Sequence, residues 1–181
     1  MKLSFVWLIL GTISLNAASG SIAIDRQADW ADTGRSRFFE CQFTDAARAF
    51  TKALQLQPDD AGLHLWLGKS YARMAEVAGP LHAAGNARQA RRNLERAVEL
   101  EPRNREYLRE LFDFYLDSPE YFGGGLGRAA LLVERIAPDD PGVQAFLRGL
   151  LDGARQEYHS LDWRLRQATL VPSAQIGRIV P

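Results

Sequence analysis

The chain has 181 residues, 46% of them hydrophobic and 24% charged, and its 22 lysine and arginine residues balance 22 aspartate and glutamate residues. This composition is typical of a folded domain with a substantial core and argues against a disordered chain. Because no net positive charge attracts phosphate groups, we expect no nucleic-acid partner and no electrostatic binding to anionic lipid.

The first residues, MKLSFVWLILGTISLNAASG, place a lysine before an apolar run that is followed by small residues. The run is shorter than the roughly 20 residues of a membrane-spanning helix, so we interpret 1–19 as a signal peptide and not as a permanent anchor. Cleavage after Ser19 and cleavage after Gly20 both fit the pattern. We therefore expect an exported protein, periplasmic or secreted, with a linker at 20–26 and no stable membrane insertion after cleavage.

A pattern of small and large apolar residues recurs along the chain. Each copy has a small residue, a large apolar residue four positions later, a small or apolar residue three positions after that, and a proline downstream. This spacing marks one face of an α-helix, and a proline is typical just beyond a helix end. The copies are Ala46, Phe50, Ala53 and Pro58; Ala90, Leu94, Ala97 and Pro102; and Ala129, Val133, Ile136 and Pro141.

A second predicted helix precedes each copy of this pattern. In the middle copy it contains Gly68 and Tyr71, and a glycine at this place lets a neighbouring helix approach closely. Gly34 holds the matching place in the first copy, whereas Phe112 takes the place of the glycine in the third, three residues before Tyr115. We expect the bulk of Phe112 to push its pair of helices apart.

These helix pairs resemble tetratricopeptide repeats (TPR), whose pattern runs W-x₂-L-G-x₂-Y, then A-x₃-F, then P. His64 and Arg37 depart from it, since the pattern prefers Trp and Tyr at their places. The resemblance implies an all-α fold, an α–α superhelix (solenoid) of about three to four helix hairpins. The units fall at about 27–60, 61–104, 105–141 and 142–172, followed by a C-terminal cap or tail at 173–181.

Two of the predicted units exceed the roughly 34 residues of this family. The surplus residues follow Tyr71, in MAEVAGPLHAAGNAR, and Tyr115, in LDSPEYFGGGLGR. We expect both stretches to widen the turn within a helix pair. The chain also resembles exported bacterial repeat proteins that combine an A-G-P-like insert with a glycine-triplet hairpin loop, which implies a shared architecture and no particular activity.

The glycine-rich segment 119–128, PEYFGGGLGR, does not match a nucleotide-binding loop. A dinucleotide fingerprint follows a strand, and a Walker-type loop continues with Lys-Ser or Lys-Thr. We therefore interpret the segment as a hairpin loop in which Pro119 helps to end one helix. Gly124 and Gly125, at the start of the next predicted helix, form with Arg128 a candidate anion-binding loop.

The first helices of a TPR superhelix line a concave face that binds peptides or proteins, so the resemblance implies a partner-binding groove. Its candidate residues are Arg35, Lys69, Arg73, Arg109 and Asp113. The four cations either hold an acidic segment through charge-assisted hydrogen bonds or are ordinary solvated charges. The asparagines used by carboxylate-clamping members are absent at the corresponding places, so we assign no C-terminal-tail ligand.

No catalytic residue, metal site or cofactor is predicted. His64, His82 and His159 lack metal-ligand spacing, and we interpret His64 as a packed substitute for an aromatic residue. Cys41 is the only cysteine, which excludes an internal disulfide, and we expect its thiol to be packed.

The sequence thus predicts a non-enzymatic exported scaffold for a protein or peptide partner, acting in envelope assembly. A small-ligand or anion carrier that uses the groove and the glycine loop is the alternative.

The C-terminal segment SAQIGRIVP begins like another first helix and then reaches a proline. Ile176, Ile179 and Val180 would leave an apolar face open there, although a terminal repeat normally needs a polar cap. Three interpretations remain: a short cap, a self-association surface, or a chain shorter than its relatives.

Overall fold

The computed structural model describes residues 26–136, 138 and 140–169. Within these ranges the regular structure is helical and contains no strand, which confirms the predicted all-α class. The predicted signal peptide at 1–19 and the predicted cap or tail at 173–181 lie outside the described residues. The helices are α1 (26–39), α2 (Phe43–Leu56), α3 (Ala61–Val77), α4 (Pro80–Leu100), α5 (Arg105–Asp117), α6 (Leu126–Arg135) and α7 (Pro141–Thr169), with a 3₁₀ turn at Glu120–Phe122.

Helices from α2 to α7 pack against their neighbours in chain order, and α3 and α4 share the most extensive contact. Helix α5 also touches α7, so it contacts the helix two places later as well as its immediate neighbours. No helix in the described ranges is both long and apolar enough to cross a membrane.

The repeated small-and-large pattern forms the buried faces of α2, α4 and α6, as predicted. In α2, Ala46, Phe50 and Ala53 are each 0% exposed, and in α4 Leu94 is 2% exposed. Ala129 is the fully buried counterpart in α6. Burying a side chain as large as Phe50 or Leu94 contributes roughly 1.5–3 kcal/mol, so these positions stabilise the helix pairs.

The two repeat glycines lie where neighbouring helices come closest. A Cβ atom added to Gly68 would lie 2.8 Å from Cγ of Leu94 and 3.2 Å from its backbone nitrogen. A Cβ atom added to Gly34 would lie 2.6 Å from Cε1 of Phe50. The predicted role of these glycines in admitting the following helix is therefore confirmed.

The third helix pair has no such glycine contact. Phe112 is 1% exposed and belongs to the core together with Leu108 and Leu111 of the same helix. Helices α5 and α6 still pack against each other. The bulk of Phe112 is thus accommodated as core volume in the third pair.

The first surplus stretch does not form the widened turn that we expected. Helix α3 continues to Val77 and α4 starts at Pro80, so only Ala78 and Gly79 separate them. Proline at a first helical position suits the fixed φ of its ring and needs no backbone N–H partner. The surplus residues therefore lengthen both helices. The second surplus stretch does form a loop, which spans the 3₁₀ turn and the glycines between α5 and α6.

The end of the chain differs from the repeat prediction. Range 142–172 was expected to form a fourth helix pair, but its described part belongs to one continuous helix, α7. Pro141 begins this helix, whereas Pro58 and Pro102 follow the ends of α2 and α4. Asp140 accepts a hydrogen bond from the backbone N–H of Val143 at 3.1 Å, which caps the start of α7.

Buried side chains form two core clusters. The N-terminal cluster joins α1, α2 and the first half of α3, and Phe50 is its largest fully buried member. The C-terminal cluster extends from α3 to α7 and contains Phe112 and Leu147. Tyr71 is half-buried and packs against both clusters.

Candidate ligand-binding cavity

A cavity of about 310 Å³ opens between α3 and α5. Its apolar surface comes from Phe38 of α1, Ala72 and Ala75 of α3, Leu94 of α4 and Phe114 of α5, among others. Ligand pockets span roughly 300–1,000 Å³, so this one suits a few side chains and not a large cofactor. Six charged residues also line it: Lys69, Arg73, Glu76, Glu110, Asp113 and Asp117.

Helical spacing explains how the charged residues reach one cavity. Lys69 and Arg73 are four residues apart on α3, and Asp113 and Asp117 are four apart on α5. Residues four apart lie on the same face of a helix, one turn after another. Each helix therefore presents a short charged stripe to the space between them.

An ion pair bridges the two walls of the cavity. Nζ of Lys69 lies 2.5 Å from Oε1 of Glu110, and these side chains are 25% and 34% exposed. The same Nζ lies 5.2 Å from the ring centroid of Trp66, within the range of a cation–π interaction. The charge of Lys69 is thus compensated from two sides, and the pair fixes α3 against α5.

The second cation of the cavity is compensated in the same way. Arg73 forms an ion pair with Glu76, one turn further along α3. Its guanidinium carbon lies 5.6 Å from the ring centroid of Phe43. Arg73 is therefore held by a carboxylate and an aromatic ring of the protein itself.

The α5 wall carries a less compensated negative charge. Oδ2 of Asp113 accepts a hydrogen bond at 2.9 Å from Nε of Arg109, whose side chain is 55% exposed. Asp117 forms no ion pair or hydrogen bond through its carboxylate among the described residues. Burial and the neighbouring charge of Asp113 raise the pKa of Asp117. The cavity therefore has an acidic end at the last turn of α5.

The predicted groove residues are only partly brought together. Lys69, Arg73 and Asp113 line the cavity, whereas Arg35 and Arg109 do not. Arg35 is bonded to Asp32 at 2.5 Å, and Arg109 to Asp113. All four predicted cations are thus paired with carboxylates, so the structure forms no cluster of unpaired positive charge from them.

Sequence reasoning missed three carboxylates and two aromatic walls of this cavity. Two of the carboxylates had a sequence signal, since Glu76 follows Arg73 by three residues and Asp117 follows Asp113 by four. The third, Glu110, had none of this kind, because its partner Lys69 is 41 residues away. Of the two aromatic walls, Phe38 had no signal because only the tertiary fold brings α1 here, whereas Phe122 lies five residues after Asp117, in the segment 119–128.

The glycine loop beside the cavity needs all three of its glycines. Gly123 and Gly125 have φ values of 88° and 96°, in the region that residues with a side chain rarely adopt. A Cβ atom on Gly124 would collide with the carbonyl group of Ser118. The triplet is therefore required by the tight path of the chain from α5 to α6.

The backbone of this loop bonds to itself. The N–H of Gly124 donates to the carbonyl of Pro119 at 3.1 Å, and the N–H of Gly125 donates to the carbonyl of Tyr115 at 2.6 Å. Arg128 is exposed and lies beyond the glycines, in the first turn of α6. Two of the amide groups predicted to hold an anion are therefore already occupied by backbone carbonyls.

A polar network lies under the glycine loop. The hydroxyl of Tyr115 donates to Glu95 at 2.8 Å, and Nε of Arg91 lies 3.8 Å from the same carboxylate. Burial, followed by the hydrogen bond to Glu95, raises the pKa of Tyr115 well above its usual range. The guanidinium of Arg91 packs against Gly123, so this network also supports the loop.

His64 and Cys41 differ in how far they are buried. His64 is half-buried, and its ring nitrogens lie 3.0 Å from Oδ1 of Asn93 and 2.9 Å from the carbonyl oxygen of Pro58. Cys41 is exposed in the turn between α1 and α2 with φ of 60°, so the prediction of a packed thiol is wrong. Within the described ranges, no group of three or more His, Cys, Asp or Glu side chains is suited to a metal ion.

Comparison with known proteins adds no family assignment. No protein-family model matches the chain, and no curated protein matches it.

Proposed function

We propose that this protein is a non-enzymatic scaffold of TPR-like helix hairpins that binds a protein or peptide segment in the groove between α3 and α5. The observation that carries the proposal is the cavity between α3 and α5, where an apolar surface and charged side chains meet in one concave place. A protein ligand uses both features, because apolar side chains supply affinity and charges supply specificity.

The arrangement of the helices supports the TPR-like part of this proposal. The first helices of the three predicted pairs, α1, α3 and α5, all contribute to the cavity. The second helices, α2, α4 and α6, bury the repeated small-and-large faces. Concave surfaces built from successive first helices are the usual binding faces of helical solenoids.

The export part of the proposal rests on the sequence of residues 1–19, with its lysine, apolar run and small residues. An exported scaffold would meet its partner at the cell envelope or outside the cell, and envelope assembly is the role that we propose.

The alternative of an anion carrier gains no support from the glycine loop, because the amides of Gly124 and Gly125 already bond to carbonyl groups.

A selection of displayed random peptides tests the groove. The full chain is compared with Ala75→Trp, which places an indole in the cavity, since Ala75 is one of its half-buried lining residues. The matched control is Ala145→Trp on an exposed position of α7. We expect the unmodified chain and the control to enrich the same peptides and Ala75→Trp to lose them.

The circular-dichroism spectrum and thermal unfolding of both variants verify that each is folded. Enrichment of the same peptides by folded Ala75→Trp would show that the groove is not the binding site. Failure of all three folded chains to enrich any peptide would also contradict a peptide-binding function.

A further inference from the structure

We propose that the cavity between α3 and α5 selects a basic segment of a partner protein, one that combines a lysine or arginine side chain with apolar neighbours. This inference rests on the proposed function, because it specifies the ligand of the same groove. The proposed ligand is basic, whereas the four predicted groove cations suggested an acidic one.

The charge balance of the cavity favours a cation. Its lining contains two cationic and four carboxylate side chains, a formal charge of −2. Arg109 pairs with Asp113 from outside the lining, and counting it still leaves the carboxylates in excess by one. A cationic ligand therefore adds attraction, whereas an anionic ligand meets repulsion.

The positions of the ion pairs show where the cation would lie. The two cations of the cavity, Lys69 and Arg73, are held by Glu110 and Glu76 and by nearby aromatic rings. An acidic ligand would compete with these carboxylates for the two cations. At the other end, Asp117 has no partner among the described residues, and Asp113 lies one turn before it. A basic side chain can pair there without disturbing any existing contact of Asp117.

The apolar surroundings of this acidic end explain why we propose a protein segment. Phe114, Pro119 and Phe122 line the cavity close in sequence to Asp117, and Phe38 contributes from α1. Lysine and arginine side chains place an apolar stem behind a charged head, so they match carboxylates framed by aromatic rings. Apolar neighbours in the same segment would cover the remaining surface.

Two capped, fluorescently labelled peptides test the charge selection. One contains leucine, serine and lysine, and the other is identical except that glutamate replaces every lysine. Fluorescence anisotropy with the full chain gives the Kd of each. We expect the lysine peptide to bind at least about tenfold more tightly, and its Kd to rise with salt concentration.

A matched pair of variants locates the selection. Asp113→Asn/Asp117→Asn removes two carboxylates of the cavity, and we expect it to lose most of the preference for lysine. Asp45→Asn/Asp152→Asn removes the same amount of charge at two exposed sites that do not line the cavity. We expect this control to keep the preference. If the first double variant does not fold, the single Asp117→Asn replaces it, because Asp117 is exposed and has no described partner to lose.

The outcomes separate this inference from the proposed function. Equal binding of the two peptides, tighter binding of the glutamate peptide, or the same preference in Asp113→Asn/Asp117→Asn would overturn the basic-segment inference. The groove itself would stand if the library peptides depend on Ala75 but carry no excess of lysine or arginine. Binding of both peptides that is unaffected by Ala75→Trp would refute the groove and the inference together.

Discussion

Helices α3 and α5 hold matching places in the sequence pattern, yet they contribute opposite features to the cavity between them. By sequence spacing, Gly68 of α3 corresponds to Phe112 of α5, and the glycine admits α4 where the phenylalanine fills the core. The two helices share a tyrosine three residues further on, Tyr71 in α3 and Tyr115 in α5. One repeat place can therefore serve either close helix contact or core volume.

The two helices also carry opposite charges at matching places of the cavity walls. Lys69 and Arg73 on α3 correspond to Asp113 and Asp117 on α5. The α3 cations are paired with carboxylates and lie over aromatic rings, whereas Asp117 has no described partner. The charge available to a ligand therefore depends on which side chains are already paired, and not on how many cations the first helices carry.

The largest loss of stability is expected when the buried phenylalanine of α5 is truncated. Phe112→Ala should lower the free energy of unfolding by about 3–5 kcal/mol, because it leaves a cavity in a site that is 1% exposed. Chemical denaturation followed by circular dichroism measures this loss.

Gly68→Ala provides the matched change in α3. It should cost less than Phe112→Ala, about 1–3 kcal/mol, because the added Cβ meets the buried side chain and the backbone nitrogen of Leu94 but leaves no cavity. An equal loss at the two positions would contradict the distinction between core volume and close contact.

An intermediate effect is expected in the loop that follows α5. Gly124→Ala should destabilise the protein by about 2–3 kcal/mol, because the new methyl group would collide with the backbone of Ser118. Gly85→Ala is the control in α4, where an added Cβ meets nothing within 4 Å. Helix propensity predicts that this control gains up to about 1 kcal/mol. Thermal unfolding of the two variants would disprove the loop constraint if both gained stability.

The smallest effect concerns the acidic end of the cavity. Because the folded state raises the pKa of Asp117, its ionisation costs stability above that folded pKa, and the cost disappears below the unfolded value of 3.8. Asp117→Asn should therefore stabilise the protein near neutral pH, by less than about 1 kcal/mol because solvent screens an exposed carboxylate. The gain should vanish in acid.

Urea titrations at several pH values measure this gain. Asp45→Asn is the control, because the carboxylate of Asp45 lies 2.8 Å from the guanidinium of Arg48 on the exposed face of α2. This variant should show no gain in stability at neutral pH. A gain for Asp117→Asn that persisted unchanged in acid would have another cause than ionisation.

The sequence predicted the helical class and the buried faces, because apolar residues at helical spacing specify which side of each helix meets the core. It also identified the close contacts at Gly34 and Gly68. It did not predict that the residues after Tyr71 lengthen α3 and α4, since a count of surplus residues does not distinguish a longer loop from longer helices.

Three of the residues that sequence spacing singled out, Lys69, Arg73 and Asp113, line the cavity, but the spacing did not predict their state of pairing. Partners within one helix, such as Glu76 for Arg73, are visible as neighbours three or four residues away. The partner of Lys69 is on another helix, and the aromatic wall of Phe38 comes from a third. Such long-range contacts depend on how the helices pack, which local periodicity does not specify.

Tyr71 gives the two core clusters a common member, and this bears on how the chain unfolds. In arrays of helix pairs each unit contacts mainly its neighbours, so one end can open while the other stays folded. Because Tyr71 packs against both clusters, opening of either one removes contacts from the same side chain. We therefore expect the melting of the two halves to be coupled through α3.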